Sequence, residues 1–213
     1  MKQNNILFFG KENDFFVEMA VDFIKRNFFS YEVYIGNRKQ PFPIINKNKK
    51  YTYIISYLSP WIIPKALLKN TTNAAINFHP GPPEYPGIGC TNFALYEGSK
   101  NYGITCHYMN SKVDSGNIIF VERFPLRQTE SVYTLTMRCY IEISHLFFKI
   151  MDLILNNQPL PSSKENWTKK PSTRKELDAL CILTSDMSKS EIDLRIKSTS
   201  FPGMPGAYFK DKS

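Results

Sequence analysis

Along the chain, apolar residues fall into short continuous runs separated by stretches with helical spacing. Asn5 to Phe9 (NILFF) has the length and character of a buried first strand, ending at Gly10. Behind Asp14, a good N-cap, the residues Phe16, Met19, Ala20, Phe23 and Ile24 recur at helical spacing up to Phe28. Tyr31 to Ile35 reads as a second strand, followed by a polar, Pro-containing connection through Lys50. Tyr51 to Leu58 (YTYIISYL) is a third strand, nearly all apolar, as expected of a strand covered on both faces. Pro64 opens a short helix, PKALLKN, and Ala74 to Phe78 is a fourth strand. This order predicts an open α/β sheet, mostly parallel. Ligands of such sheets sit beyond the carboxyl ends of the strands, near the point where strand order reverses.

Gly103 to Met109 and Asn117 to Phe124 alternate well enough for two further strands, with Asp114-Ser115-Gly116 in the turn between them. On its own, Asp114 reads as a turn residue that accepts backbone hydrogen bonds. His107, mid-strand, reads as structural. From Thr129 to Asn156 one helical stripe carries Val132, Leu135, Cys139, Ile143, Leu146, Phe147, Ile150 and Ile154. This is a long helix covering the sheet, with His145 off the stripe and solvated. Pro159 and Pro161 mark a boundary, giving a main domain over 1–158 and a polar appendage over 159–213. In the appendage, Ser188 and Glu191 have capping-box spacing, and Pro202 and Gly203 stop the helix they open.

The stretch Ala74 to Gly98 (AAINFHPGPPEYPGIGCTNFALYEG) organises the rest. Asn77 and His79 are two residues apart on a strand and so face the same way. Four prolines stiffen the loop that follows, and three glycines let its backbone turn left-handed or approach a ligand. After the first strand the chain reads FGKENDFF, with no G-x-G-x-x-G, which excludes a pyrophosphate cradle on the first helix and a nicotinamide enzyme. Cys90, Cys106, Cys139 and Cys181 lack metal-ligand spacing and read as reduced thiols, with no metal site. Cys90, with no base beside it, reads as packing. No window suits a signal peptide or a membrane span, so the expected location is the cytoplasm. A net charge of +8 over 213 residues favours anionic partners without choosing among them. The basic run Lys47, Lys49 and Lys50 reads as a solvated loop.

FHPGPPEYPGIGCTNFALYEG followed by YGITCHYMNSKVDSGNII resembles the formyltetrahydrofolate-dependent formyltransferases. The resemblance implies a Rossmann-like formyltransferase fold. It also implies an active-site set made of an Asn, a His two residues on, and an Asp in an Asp-x-Gly turn. Here these are Asn77, His79 and Asp114, with Gly116 completing the turn. Most members follow His-Pro with Ser-Leu-Leu-Pro. The sequence HPGPPEYPGIG instead looks like the branch acting on nucleotide-linked amino sugars.

The resemblance implies transfer of a formyl group from N10-formyltetrahydrofolate to the amine of a nucleotide sugar. The best candidate is dTDP-4-amino-4,6-dideoxyglucose, for a surface polysaccharide such as O-antigen. Asn77 would donate to the oxyanion, His79 would accept the amine's proton, and Asp114 would orient the imidazole and favour its charged form. No metal is required. The folate would lie along the loop after the third strand, giving Tyr57, Leu58, Ser59, Pro60 and Gly116 as its contacts. The acceptor sugar would meet Pro83, Tyr85, Gly87, Ile88, Gly89 and Asn92, with Tyr85 and Trp61 the first aromatics to consider for stacking.

The rivals are methionyl-tRNA formyltransferase, disfavoured by the short segment after Pro159, and glycinamide ribonucleotide transformylase, which does not have the RIKSTSFPGMPGAYF tail. A folate- or nucleotide-sugar-binding protein without catalysis is a third. A homodimer built partly through the segment after Pro161 is also expected, on the premise that a small polar appendage seldom packs on its own domain.

Overall fold

A computed structural model of the protein describes residues 4–46 and 48–210. The first apolar run forms β1 (Asn5–Lys11), with Ile6 to Phe9 fully buried. Ile6 and Phe8 join one core cluster, while Leu7 and Phe9 join another. Since successive side chains of a strand face opposite ways, β1 is covered on both faces.

It pairs in parallel with β2 (Ser30–Gly36) and β3 (Tyr51–Tyr57), and β3 pairs in parallel with β4 (Thr71–His79). β5 (Asn101–Tyr108) and β6 (Ile118–Pro125) extend the sheet antiparallel, giving the order β2-β1-β3-β4-β5-β6. The connection 109–117 is too short for the crossover a parallel pair needs. The result is a Rossmann-like, mostly parallel sheet whose order reverses between β1 and β3.

Helix α1 (Phe15–Asn27) starts at Asp14, whose carboxylate accepts from the N–H of Val17 at 3.1 Å. α2 (Lys65–Leu68) and α3 (Cys90–Tyr96) are short, whereas α4 (Val132–Leu155) runs the length of the sheet. Every residue of the stripe predicted for α4 is buried, and the His145 side chain is exposed. Phe147 of α4 packs its ring against Phe8 of β1, Tyr57 of β3 and Phe78 of β4, so one aromatic ties the helix to three strands. On the opposite face a smaller cluster of Leu7, Phe9, Ile45, Tyr51, Ile54, Ile63 and Leu67 lies beneath α2 and the connection after β2.

Past Pro159 the chain departs from the expected free-standing appendage and straps back across the domain. Ser163 N–H donates to the Ile118 carbonyl (3.1 Å), Thr168 N–H to Pro83 (3.2 Å) and Ser172 N–H to Pro86 (2.9 Å). Then follow α5 (Arg174–Leu180), β7 (Ile182–Leu183), α6 (Lys189–Thr199) and β8 (Tyr208–Phe209), with β7 and β8 paired in parallel.

α6 has half of the capping box its spacing predicts: Ser188 accepts from the Glu191 N–H, but the Glu191 carboxylate turns to Arg195 and the Tyr96 hydroxyl instead of closing the box. α5 was not legible as an apolar stripe because its sequence, RKELDAL, is mostly polar; a capping box between Thr173 and Glu176 starts it. In the basic run, Lys47 lies outside the described residues. Lys49 is paired with Glu32 and not simply solvated, while Lys50 is exposed. Among the described residues no helix is long and apolar enough to cross a membrane.

Candidate active site

Asn77 and His79 occupy the last residues of β4, and His107 stands opposite Asn77 in the antiparallel register of β5. The connection 109–117 brings in Asp114, held in a left-handed conformation (φ 40°). One Asp114 oxygen lies 3.2 Å from His79 Nδ1 and accepts from the Gly87 N–H at 2.8 Å. The other lies 3.3 Å from His107 Nε2 and 3.4 Å from Asn77 Nδ2.

Burial works against the Asp114 charge. The His79 imidazole, the His107 ring and the Gly87 N–H together outweigh it and hold the carboxyl down at about 2. The carboxylate is thus ionised at neutral pH and spends its lone pairs on orienting two imidazoles.

Two glycines are essential to this geometry. A Cβ on Gly116 would sit 1.7 Å from the Tyr108 carbonyl oxygen, so only glycine lets the Asp114 turn close against β5. Gly87 is left-handed (φ 86°), and a Cβ there would strike the Ser172 backbone at 2.4 Å. That approach is what aims its N–H at Asp114.

His79 Nε2 lies 2.8 Å from the Tyr85 carbonyl oxygen. To take a proton from a ligand, the ring must release that carbonyl. Asn77 is constrained in a similar way: its amide nitrogen carries two N–H groups and has two partners within the cluster, His107 Nε2 (3.1 Å) and Asp114 (3.4 Å). To donate to a ligand it must release one of them, the longer contact to Asp114 being the weaker.

These groups open onto a cavity of about 1080 Å³ at the carboxyl ends of β1, β3 and β4. Single small-ligand sites span roughly 300–1,000 Å³, so the cavity lies at the large end of that range. Of the expected folate contacts, Leu58, Ser59 and Pro60 line one wall; of the expected sugar contacts, Gly87, Ile88 and Gly89 line another.

The remaining assignments need correction, because those residues lie outside the lining. Tyr57 is buried in the aromatic core against Phe147 and Phe78. Gly116 faces Tyr108, and its carbonyl is taken by Trp167. Pro83 is buried, its carbonyl bound by Thr168. Tyr85 cannot stack on a ligand: it is buried beside Tyr102, with its hydroxyl bonded to Glu97 and Ser99. Asn92 points to the tail and donates to the Ser198 carbonyl at 2.8 Å.

Trp61 does line the cavity, yet its ring packs edge-on against Phe9 and Phe42 and its N–H donates to the Gln40 carbonyl. Cys90 also borders the cavity, but burial pushes its thiol up to about 11, so it is no thiolate nucleophile.

Four cations, Lys11, Arg38, Lys112 and Arg174, also line the walls. Burial opposes the Lys11 charge, but the Tyr140 hydroxyl and the Asp14 carboxylate outweigh it and raise the ammonium above its ordinary range. Its Nζ lies 2.8 Å from Asp14 and 3.1 Å from Tyr140. Backbone strain gathers here too: Asn13, Leu58 and Asp114 line the cavity with φ of 54°, 50° and 40°. Each such residue costs on the order of 1–3 kcal/mol, a cost that the surrounding structure offsets. Among the described residues no group of three or more His, Cys, Asp or Glu could hold a metal ion.

Two site residues escaped the sequence reading. Mid-strand position alone makes His107 read as structural, and only the register of β5 against β4 brings it to Asn77. Trp167, from the tail, lies edge-on to His107 (ring centroids 5.0 Å apart) and to His79 (5.9 Å). No local signal marks it.

Residues 48–148, which include Asn77, His79, His107 and Asp114, match the model of the formyl transferase family. That segment is a formyl transferase domain, and the whole chain has the formyltransferase fold. In sequence, the chain is 30% identical over 122 residues to the methionyl-tRNA formyltransferase of Geobacillus thermodenitrificans, covering 56% of this chain and 38% of that one. The chain spans between 38% and 53% of the length of the first four curated relatives it matches.

Two solved structures share the fold far more fully. A sugar N-formyltransferase from Shewanella sp. FDAARGOS_354 has a TM-score of 0.76 at 20% identity, covering 98% of this chain and 93% of that one. An N-formyltransferase from Helicobacter canadensis, solved with folinic acid and dTDP-3-aminofucose, has a TM-score of 0.70 at 18% identity, covering 92% and 80%.

Proposed function

We propose that this protein is a sugar N-formyltransferase that moves a formyl group from N10-formyltetrahydrofolate to the amine of a nucleotide-linked amino sugar. The observation that carries the reading is the cluster of Asn77, His79 and Asp114 at the wall of a large cavity also lined by Lys11, Arg38, Lys112 and Arg174. The better superposition on a sugar N-formyltransferase (TM-score 0.76) than on a methionyl-tRNA formyltransferase from Clostridium thermocellum (TM-score 0.64), each covering most of both chains, leans toward a sugar acceptor over a tRNA.

In the reaction, the acceptor nitrogen forms a bond to the formyl carbon, the bond from that carbon to N10 breaks, and the amine's proton ends on N10. The carbonyl oxygen gains charge on the way. An Asn77 N–H, released from its long contact with Asp114 (3.4 Å), is a suitable donor to it. His79, once free of the Tyr85 carbonyl, takes the amine's proton, while Asp114 holds the ring and balances its charge.

Leu58, Ser59 and Pro60 form the wall for the folate, and Gly87, Ile88 and Gly89 the wall for the sugar. Lys11 and the other wall cations suit a diphosphate and a glutamate carboxylate. The same reading makes 1–158 the catalytic unit, working in the cytoplasm toward a surface polysaccharide such as O-antigen, and the protein a homodimer through part of 159–213.

The test is incubation with N10-formyltetrahydrofolate and separate acceptors: dTDP-4-amino-4,6-dideoxyglucose first, then a dTDP-3-amino sugar, a GDP-linked amino sugar, initiator methionyl-tRNA and glycinamide ribonucleotide. A formamide product on a nucleotide sugar, read by mass spectrometry, is expected. Turnover of only the tRNA or the ribonucleotide would replace the reading, and folate binding without any turnover would make the protein a silent binder.

A further inference from the structure

The segment that straps back across the domain contributes one side chain to the catalytic cluster. Trp167 donates its indole N–H to the Gly116 carbonyl at 2.8 Å, which fixes the turn carrying Asp114. The same ring stands at 88° to His107 and 67° to His79. One residue therefore touches both imidazoles and the turn of the carboxylate that orients them.

Its own position is set on both sides. Before it, Ser163 N–H binds the Ile118 carbonyl (3.1 Å), and Glu165 pairs with Arg123, which also grips Glu84. After it, Thr168 N–H binds Pro83 (3.2 Å), Ser172 N–H binds Pro86 (2.9 Å) and Ile88 N–H binds Ser172 (3.0 Å). These clamps hold the loop that presents the Tyr85 carbonyl to His79 and the Gly87 N–H to Asp114.

We infer that Trp167 is a positioning residue of the reaction, setting the orientation of His79, His107 and Asp114 from outside the cavity. It lies outside the cavity lining, so it acts through these groups and not on a substrate. A plug that merely fills space would support stability. A positioning residue also sets the rate, because misplacing a catalytic group by about 1 Å costs on the order of a hundredfold.

Trp167→Phe keeps a ring edge against the imidazoles and removes the N–H bond to Gly116; Trp167→Leu removes both. With the acceptor that wild type turns over, kcat should fall about tenfold in the first and about a hundredfold in the second. KM for folate and for sugar should stay within about threefold, since ground-state binding is untouched.

The kinetic arm rests on the formyl-transfer reading, so a second arm stands without it. Ring-nitrogen shifts of the three histidines, followed against pH in 15N-labelled protein, should change for His79 and His107 in Trp167→Leu. Those of His145, exposed on α4, should not. Absence of turnover in wild type would sink the functional reading while leaving this arm to decide. The positioning role is overturned if the His79 and His107 curves are unchanged, if KM rather than kcat moves, or if both variants simply fail to fold.

Discussion

Asn77, His79 and Asp114 share their contacts, so their substitutions should not act independently. Asn77→Ala should lower kcat by about a hundred- to a thousandfold with little change in KM, the cost of one oxyanion donor. His79→Ala should cost at least as much, because the attacking amine loses its proton acceptor. His79→Ala with Asp114→Asn should be scarcely worse than the worse single change, as for groups that act as a unit. Multiplying losses in steady-state assays would refute the shared cluster.

Asp114 also predicts a pH dependence of stability. Its folded-state pKa, about 2, lies below the ordinary value of 3.8, so the stabilisation is complete above about pH 4 and fades as pH falls through 2. The size is about 2 kcal/mol. The gap in unfolding free energy between wild type and Asp114→Asn should shrink by that amount over this window, and a gap constant with pH would be the contrary result.

The sequence made Asn77 and His79 legible as a pair, since two-residue spacing on a strand means one face. His107 could not be found the same way. It joins them through the pairing of two strands some thirty positions apart, and register across strands is a tertiary property.

At the level of elements, β1, α1, β3 and α4 were readable because burial forces a periodic pattern on each. α5 and the strap were not, because their order comes from caps and backbone hydrogen bonds that leave no apolar stripe. The misassigned contacts share a cause. Tyr85 and Pro83 sit in the right loop, but their side chains are buried and the strap bonds the loop's backbone at Pro83 and Pro86, while Pro80 and Gly87 to Gly89 border the cavity.

The turn between β5 and β6 offers the sharpest test at this scale. Gly116→Ala places a Cβ 1.7 Å from the Tyr108 carbonyl, so the turn must move. Overpacking of this kind costs roughly 1–3 kcal/mol. Asp114, two residues away, should move with the turn. Thermal unfolding should report the lost stability, and kcat should fall more than tenfold, on the order of a small misplacement of the site. Unchanged activity in Gly116→Ala would mean that the turn does not hold Asp114 in place.

For the molecule as a whole, the tail divides into two parts with different work. Its first part, through Thr173, is committed to its own domain by the hydrogen bonds that clamp Trp167, which removes the premise that a polar appendage must pack elsewhere. The second part is different. β7 and β8 form a separate two-stranded sheet, and Met204, Tyr208 and Phe209 are more than half exposed around it. A small sheet with open edges and exposed aromatic side chains is a surface that seeks a partner.

If the homodimer expected through the segment after Pro161 forms, residues 182–210 are the part of that segment with apolar surface left to bury, and its formation should be independent of catalysis. Light scattering at micromolar concentration should give twice the mass of one chain, and Tyr208→Lys with Phe209→Glu should return it to one while kcat stays near wild type. Two other outcomes count against this placement. A wild-type mass of one chain removes the dimer. A dimer that survives the double substitution puts its interface elsewhere on the sheet or helices, with α4 and its exposed Tyr133 and Ile141 the next surface to probe.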